Sequence, residues 1–303
     1  MLVKRMARSF PWRYVRVQQA DTTALLAIGT SAAALSVAAS IYCWNKNTSC
    51  GEHIMCMTHL QRPKEVTRYA YIHGFASGPK AMKGTLLKSL FGEVGLPFQL
   101  PDVNQPSAKK MTCSASLKEL DRMHADAVAE CKCDVKWCFI GSSMGGYLAA
   151  RWAELHPDHV DRLVLMSPAF NFPKVLEGIM EPRGSSLNEW KVKGVWLFRG
   201  LEVDWCLVED YLQHPIEPTV ACPTLILHGK NDALVPIDTA RSYVGKSPEH
   251  VKLVELDDDH LLADSMPVMV PLISKFFNIK PELAAPKAPS KKGLSQFDSS
   301  EGK

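Results

Sequence analysis

A serine inside a glycine-rich turn is the first residue of this sequence that could do chemistry. Residues 141–145 read Gly-Ser-Ser-Met-Gly and fit the pattern G-x-S-x-G, with Ser143 at the centre. In a sharp turn from a strand to a helix, this pattern exposes the central hydroxyl above a sheet, where it can attack an acyl carbon. The glycines remove side chains that would collide in such a turn. Ser143 is therefore the candidate nucleophile, and the alternative is a surface serine in an ordinary turn.

Two later residues complete the set that serine catalysis needs. Asp232 follows the apolar run that begins at residue 224, and His260 follows the apolar run 251–256. The chain order Ser, Asp, His allows the imidazole to remove the serine proton while the carboxylate orients the imidazole. Each residue also has a plainer interpretation, as a turn-forming aspartate and a solvated loop histidine. The acidic residues 257–259 leave open that one of them, rather than Asp232, pairs with His260.

Two backbone amides are candidates for an oxyanion hole. An apolar run at 68–72 leads into His-Gly-Phe, and the amide that follows the glycine belongs to Phe75. The second candidate donor is the amide of Met144, directly after the candidate nucleophile. Removing one such donor from a well-studied serine protease costs about 2.7–4 kcal/mol of transition-state stabilisation. The alternative for residues 73–79 is an ordinary strand-to-loop turn.

The elements that must position these residues alternate along the chain. Apolar runs predict strands at 68–72, 98–103, 135–140, 162–168, from 224 and at 251–256, and helical spacing predicts helices at 82–94, 117–131, from 148 and at 261–277. Such alternation predicts an α/β fold with a mostly parallel sheet and helices on both faces.

An insertion at residues 169–221 interrupts the alternation. It is rich in proline and in large aromatic residues, which are Trp190, Trp196, Phe198 and Trp205. We expect a small cap over the site. Its aromatic residues either line an acyl pocket or form the cap's own core, and the sequence favours neither interpretation.

Composition limits the function classes. With 303 residues, 46% hydrophobic and 22% charged, the chain is long enough for one globular domain and tails. A net charge of +3 is too small to predict a nucleic-acid partner, and the nine cysteines include no C-x-x-C pair, which argues against a zinc knuckle or a thioredoxin-type site. We place the domain at 61–278. The Pro-, Lys- and Ser-rich tail at 279–303 is expected to be disordered.

The N-terminal 60 residues combine a basic and an apolar segment. Residues 1–19 hold five basic and no acidic residues, and residues 22–44 form an uncharged stretch of 23 residues, whose length suits a bilayer span of ~20 residues. One interpretation is a signal-anchor with a cytosolic basic end. Another is a mitochondrial presequence that continues into an inner-membrane anchor. A secretory signal peptide cut near residues 38–40 fits less well, because the basic region is long, and a disordered extension is the plainest alternative.

We therefore expect membrane attachment through residues 22–44 or organelle targeting. A mitochondrial location is the first expectation, and a signal-anchored protein of the secretory pathway is the alternative.

The motifs as a set resemble the YqiA/YcfP-type family of small α/β-hydrolase esterases. The matching stretches are 71–79, 140–147, 163–170 and 227–232. Residues 193–196 and 259–260 also look like the mitochondrial acyl-protein thioesterase branch of the α/β-hydrolases. The resemblance covers about residues 66–278.

The resemblance implies an α/β-hydrolase fold and a serine esterase or thioesterase that needs neither a metal nor an organic cofactor. By motif position it assigns Ser143 as nucleophile, Asp232 as acid and His260 as base. The expected substrate is a small or lipid-like acyl ester or thioester, cleaved through an acyl-enzyme intermediate. The alternatives are a serine peptidase of the same fold and a non-catalytic scaffold of that fold that tethers a partner at a membrane.

Overall fold

The computed structural model describes residues 64–246 and 249–286 of the chain. The predicted targeting segment at 1–60, with its apolar stretch 22–44, lies outside these residues, as does the chain from 287 onward. Within the described part, no helix is both long enough and apolar enough to cross a bilayer.

The strands and helices alternate as the sequence predicts. The strands are β1 (Glu65–Ile72), β2 (Phe98–Gln99), β3 (Asp134–Ser142), β4 (Val160–Met166), β5 (Val195–Phe198), β6 (Leu201–Asp204), β7 (Thr224–Gly229) and β8 (Val251–Leu256). The helices are α1 (Met82–Glu93), α2 (Cys113–Cys131), α3 (Met144–Leu155), α4 (Phe172–Met180), α5 (Leu187–Lys193), α6 (Cys206–Tyr211), α7 (Asp238–Lys246) and α8 (Met266–Phe276).

Six of these strands form one parallel sheet in the order β2-β1-β3-β4-β7-β8. Both faces are covered, so the central strands β3 and β7 are buried almost throughout instead of alternating between buried and exposed residues. In β3, Trp137 and Phe139 pack with residues of α2 and α3 on one face. Cys138 and Ile140 pack with residues of α1 and α8 on the other. The predicted α/β-hydrolase fold, with helices on both faces of a parallel sheet, is confirmed.

Two element boundaries differ from the sequence prediction. Strand β2 holds two residues instead of the predicted 98–103, since Pro101 has no N–H to donate to a neighbouring strand. Helix α8 begins at Met266 instead of residue 261. The carboxylate of Asp258 accepts the Ser265 N–H at 2.8 Å and that of Asp259 accepts the Leu261 N–H at 2.8 Å. These local bonds compete with helix formation and keep the histidine segment as a loop.

The insertion between β4 and β7 contains α4, α5, the antiparallel hairpin β5–β6 and α6. Its aromatic residues do not share one environment. Trp190 is buried and its indole N–H donates to the Val203 carbonyl at 3.0 Å, so it belongs to the core of the insertion. Trp196 and Phe198 are half-buried.

The folded domain extends beyond the predicted boundary at 278. Ile279 and Leu283 are each only 3% exposed and pack against the α8 face of the sheet. The Leu283 N–H also donates to the Ser274 hydroxyl at 2.9 Å. Residues 279–286 therefore belong to the domain, because two apolar side chains and one hydrogen bond hold them against α8, and the expectation of a disordered tail from 279 is corrected for this part.

Candidate active site

Ser143 occupies a strained turn between β3 and α3. Its backbone has φ 55° and ψ −119°, a conformation that costs a non-glycine residue about 1–3 kcal/mol. The surrounding backbone holds it there, because the Ser143 N–H donates to the Met166 carbonyl at 2.9 Å and the Ser143 carbonyl accepts the Ala169 N–H at 3.0 Å. The side chain is thereby fixed at the carboxyl edge of the sheet.

The motif glycines allow close backbone approach rather than a positive φ. A Cβ on Gly141 would overlap the backbone of Gly145, and a Cβ on Gly145 would overlap the carbonyls of Ile72 and His73. Helix α3 can therefore start directly against the end of β1 only because both positions lack a side chain.

The structure brings the three predicted side chains together. The Ser143 Oγ lies 3.0 Å from Nε2 of His260, and Nδ1 of the same imidazole lies 2.7 Å from Oδ2 of Asp232. Both distances are within hydrogen-bond range. The serine hydroxyl therefore has an imidazole within reach, and a carboxylate contacts the other nitrogen of that imidazole. This geometry is the one that catalysis by a serine hydroxyl requires.

The Asp232 carboxylate is buried and remains ionised. Its Oδ1 accepts the Leu234 N–H at 3.0 Å and the Val235 N–H at 2.8 Å. Burial by itself raises the pKa of this carboxyl, but hydrogen bonds from His228, His260 and the Val235 amide outweigh burial and hold its pKa well below the ordinary value. The negative charge is therefore available to orient the imidazole and to stabilise its protonated form.

The three acidic residues beside His260 have other partners. The Asp258 carboxylate accepts the N–H groups of Asp259 and Ser265, each at 2.8 Å. The Asp259 carboxylate accepts the Leu261 N–H at 2.8 Å, while that of Asp257 contacts the side-chain amide of Asn231 at 3.3 Å. These carboxylates shape the loop that carries the histidine, whereas Asp232 is the one in contact with the ring.

The predicted oxyanion turn lies next to the serine. A Cβ on Gly74 would meet the Ser143 Cβ at 3.3 Å and its Oγ at 3.9 Å. The following residue, Phe75, is thus carried past the nucleophile, and Met144 is the first residue of α3. The amides of Phe75 and Met144 therefore stay the candidate donors to an oxyanion.

An aromatic wall from the cap adjoins this turn. The Phe75 ring centroid lies 5.8 Å from that of Phe172 in α4 and 5.4 Å from that of Phe198 in the hairpin. Phe198 continues to Trp196 at 5.0 Å. The cap therefore places the half-buried ring of Phe198 beside the candidate oxyanion turn, whereas Trp190 belongs to the cap's own core and packs against Trp196 at 5.1 Å.

Two residues of the site were not singled out from the sequence. His228, at the end of β7, is fully buried and lies 3.2 Å from Oδ2 of Asp232 through its Nε2. In the sequence it is a histidine at the end of an apolar run, four residues before Asp232, and this spacing does not indicate the contact. Lys83 in α1 donates to the Leu261 carbonyl at 2.8 Å, a contact across 178 residues of chain that no local pattern indicates.

The ammonium group of Lys83 has an unusual environment. Burial lowers its pKa to about 8, partly offset by the carboxylates of Asp258, Asp259 and Asp232. The bond to Leu261 ties α1 to the loop of the candidate base.

Among the described residues, one group of side chains has the composition of a metal site. Cys113, Asp210 and His214 place ligand atoms within 4.8 Å of one another. The Asp210 carboxylate already accepts the Ser114 N–H at 2.8 Å, and His214 contacts the Ser114 hydroxyl at 3.1 Å. These contacts cap the start of α2 and attach α6 to it, which gives the group a structural explanation.

Comparison with known proteins gives a family and a fold. Residues 68–277 match the model of a family described as Uncharacterised protein family (UPF0227). No curated protein matches the chain. Est1E from Butyrivibrio proteoclasticus is similar in structure, with a TM-score of 0.60 and 18% identity over 71% of this chain and 88% of that one.

Two further structures have the same architecture. Mouse alpha/beta hydrolase domain-containing protein 10 has a TM-score of 0.52 and 19% identity, covering 70% of this chain and 88% of that one. A structure reported for LipS and LipT, two metagenome-derived lipolytic enzymes, has a TM-score of 0.52 and 16% identity, covering 70% of this chain and 94% of that one. At these identities the likeness shows the fold.

Proposed function

The chain belongs to the UPF0227 family, a YqiA-type group of α/β-hydrolases, and on this premise we propose that it is a serine hydrolase of carboxylic esters or acyl thioesters. The resemblance drawn from the sequence motifs is thereby confirmed at the level of the family. One observation carries the proposal. Ser143, His260 and Asp232 form a continuous hydrogen-bonded chain of 3.0 and 2.7 Å beside a strained serine turn.

The first half of the reaction acylates the enzyme. Oγ of Ser143 forms a bond to the acyl carbon while its proton passes to Nε2 of His260. The amides of Phe75 and Met144 donate to the oxygen that becomes negative. When the tetrahedral intermediate collapses, the bond from the acyl carbon to the leaving oxygen or sulfur breaks, and His260 returns the proton to that leaving atom. Asp232 stabilises the imidazolium throughout.

The second half releases the acid. A water molecule attacks the acyl carbon and gives one proton to His260. Collapse of the second intermediate breaks the bond to Oγ of Ser143, and His260 returns its proton to that oxygen. The products are a carboxylic acid and the free enzyme, and every proton that the imidazole takes is given back.

The ester class is supported by two kinds of observation. Est1E is also known with ferulic acid, a carboxylic acid, bound to it, and LipS and LipT are described as lipolytic. In this chain, the half-buried rings of Phe75 and Phe198 pack against each other, and Phe75 directly follows Gly74, which lies against Ser143. Such rings suit an apolar acyl group. No metal or organic cofactor has a part in this mechanism.

A fluorophosphonate probe tests the nucleophile, because it reacts covalently with activated serines. We expect the full-length protein to be labelled at Ser143, and Ser143→Ala to lose labelling. The neighbouring Ser142 supplies a matched control, since it is also largely buried in the turn but is not in contact with the imidazole, so Ser142→Ala should still be labelled. Labelling that persists in Ser143→Ala would refute the assignment. Absence of labelling together with absence of turnover would favour a non-catalytic scaffold.

A substrate panel separates the remaining classes. Acyl esters, acyl-CoA thioesters and peptide amides of matched acyl length are compared by kcat/KM. We expect esters or thioesters to be cleaved and amides to be cleaved far more slowly. Preferential cleavage of the amides would replace the proposal with a serine peptidase.

We also propose that residues 22–44 attach the protein to a membrane, in mitochondria in the first place. The support is the sequence alone: a 23-residue uncharged stretch after five basic residues. Fractionation of cells that make the full chain, followed by alkaline carbonate extraction, tests this. We expect the protein in the mitochondrial pellet after extraction, and we expect a variant with the arginines of residues 1–19 replaced by glutamine to be lost from mitochondria. Complete release by carbonate would contradict attachment.

A further inference from the structure

We propose that His228 is a positioning residue of the reaction, which holds the Asp232 carboxylate in the orientation that His260 requires. The inference rests on the proposed function. It concerns a histidine that the catalytic relay itself does not include. His228 lies at the carboxyl end of β7, four residues before Asp232, and none of its side chain is exposed.

The proton of His228 can be located from its partners. Its Nε2 lies 2.8 Å from the Val235 carbonyl oxygen. A carbonyl oxygen only accepts hydrogen bonds, so Nε2 must carry the proton. The same nitrogen lies 3.2 Å from Oδ2 of Asp232, so the N–H is shared between the carbonyl and the carboxylate. His228 is therefore a donor to the group that orients the catalytic base.

With this donor, both oxygens of the Asp232 carboxylate are doubly occupied. Oδ1 accepts the amides of Leu234 and Val235, and Oδ2 accepts His260 and His228. A carboxylate has about four acceptor positions, so no lone pair is left to favour a rotated arrangement. His228 thus adds a second contact to Oδ2, the oxygen that pairs with His260, while the backbone amides hold Oδ1.

Packing alone does not explain a histidine at this position. The Nδ1 atom of His228 is buried without a hydrogen-bond partner, and an unpaired buried polar atom destabilises a fold. An aliphatic residue would avoid that cost, although it would also remove the donor to the Val235 carbonyl. The imidazole of His228 is thus unfavourable for the packing of the core but favourable for the charge of the Asp232 carboxylate. A buried residue that breaks a packing rule in this way is expected at a functional site.

The test is a double-mutant cycle on the full-length protein with an ester substrate. We expect His228→Leu to lower kcat roughly 10–100-fold, by analogy with the loss of outer hydrogen-bond partners around metal ligands, with KM changed less than about twofold. His228→Gln keeps an N–H donor and should recover most of the loss. In an Asp232→Asn background, the same His228→Leu change should lower kcat by less than about twofold, because residues that act as one unit are not additive. An equal loss in both backgrounds, or no loss in either, would overturn the proposal.

A second measurement needs no variant and covers the case in which His228→Leu fails to fold. Nitrogen-15 NMR of histidine-labelled wild-type protein identifies which ring nitrogen of each imidazole carries the proton. We expect a buried imidazole protonated at Nε2 and assigned to His228 by its absence from His228→Gln. Protonation at Nδ1 instead would refute the contact with Asp232. Probe labelling at Ser143 keeps the two questions apart, since an unlabelled wild type defeats the proposed function, whereas a labelled enzyme insensitive to His228 defeats this inference alone.

Discussion

The sequence left open whether Asp232 or one of residues 257–259 pairs with His260. The hydrogen bonds of these carboxylates allow the two assignments to be compared directly. Oδ2 lies 2.7 Å from Nδ1 of His260, whereas Asp259 is bonded to the Leu261 N–H. We expect Asp232→Asn to lower kcat by about 10³–10⁴, since an asparagine at this position of a serine protease stabilises the wrong imidazole tautomer. The matched change Asp259→Asn should keep most of the activity. Steady-state ester hydrolysis at neutral pH measures both, and full activity of Asp232→Asn would disprove the assignment.

The lowered pKa of the Asp232 carboxyl leads to a prediction about how the unfolding free energy depends on pH. Hydrogen bonds lower its pKa in the folded protein below the ordinary value of 3.8, so the ionised form favours the folded state above that pH. This contribution is lost as the pH falls below about 4. Asparagine does not titrate, so the gap in unfolding free energy between wild type and Asp232→Asn should narrow from pH 7 to pH 3. Urea denaturation at several pH values measures the gap, and a gap that widens toward acid pH would show that the sign is wrong.

At the scale of elements, the contact between α3 and β1 decides whether the serine turn can form. A Cβ on Gly145 would overlap the carbonyls of Ile72 and His73. We expect Gly145→Ala to destabilise the protein by at least ~2 kcal/mol, because overpacking typically costs 1–3 kcal/mol and here backbone must move. Labelling of Ser143 should fall with it.

Gly178 offers the matched control for that substitution. It lies in α4, is exposed, and has no atom within 4 Å of an added Cβ. Gly178→Ala should stabilise the protein by about 0.5–1 kcal/mol, since alanine is the better helix former. Chemical denaturation compares the two variants, and equal effects would mean that close approach is not the reason for Gly145.

Elements whose position depends on burial could be predicted from the sequence, whereas boundaries that depend on individual hydrogen bonds or on proline could not. The central strands β3 and β7 are buried on both faces, and their continuous apolar sequences are visible in the chain. The edge strand β2 is short because a proline follows it closely. The start of α8 depends on which N–H groups two aspartates accept, and apolar spacing carries no information about that choice.

Some residues of the candidate site could likewise be identified from the sequence, and others could not. Ser143, Asp232 and His260 were identifiable because each combines a chemical type with a place after a strand. His228 was not, because a histidine inside an apolar run resembles any buried residue. Its role depends on the Val235 carbonyl seven residues later and on the rotation of a carboxylate, which only the folded chain shows. Lys83 depends on a contact with Leu261 across the domain.

At the scale of the whole molecule, the C-terminal boundary has a measurable consequence. Leu283 is 3% exposed and lies against α8, whereas Leu212 in the cap region is 63% exposed. We expect Leu283→Ala to lower the unfolding free energy by about 2 kcal/mol, near the low end for buried leucines. Leu212→Ala should change it by less than about 0.5 kcal/mol. Thermal unfolding compares the two variants. Equal melting temperatures would mean that residues 279–286 do not belong to the folded domain.

The close contact between the end of β7 and the loop before His260 limits how the site can move. A Cβ on Gly229 would overlap the carbonyls of Asp258 and Asp259, and the Asn231 N–H donates to the Asp258 carbonyl at 3.0 Å. The backbone after β7, which leads to Asp232, and the backbone before His260 are therefore packed so closely that neither can shift without moving the other. An inhibitor that binds both the Ser143 hydroxyl and the His260 imidazole should therefore slow amide hydrogen exchange in the serine turn and in the loops that carry Asp232 and His260.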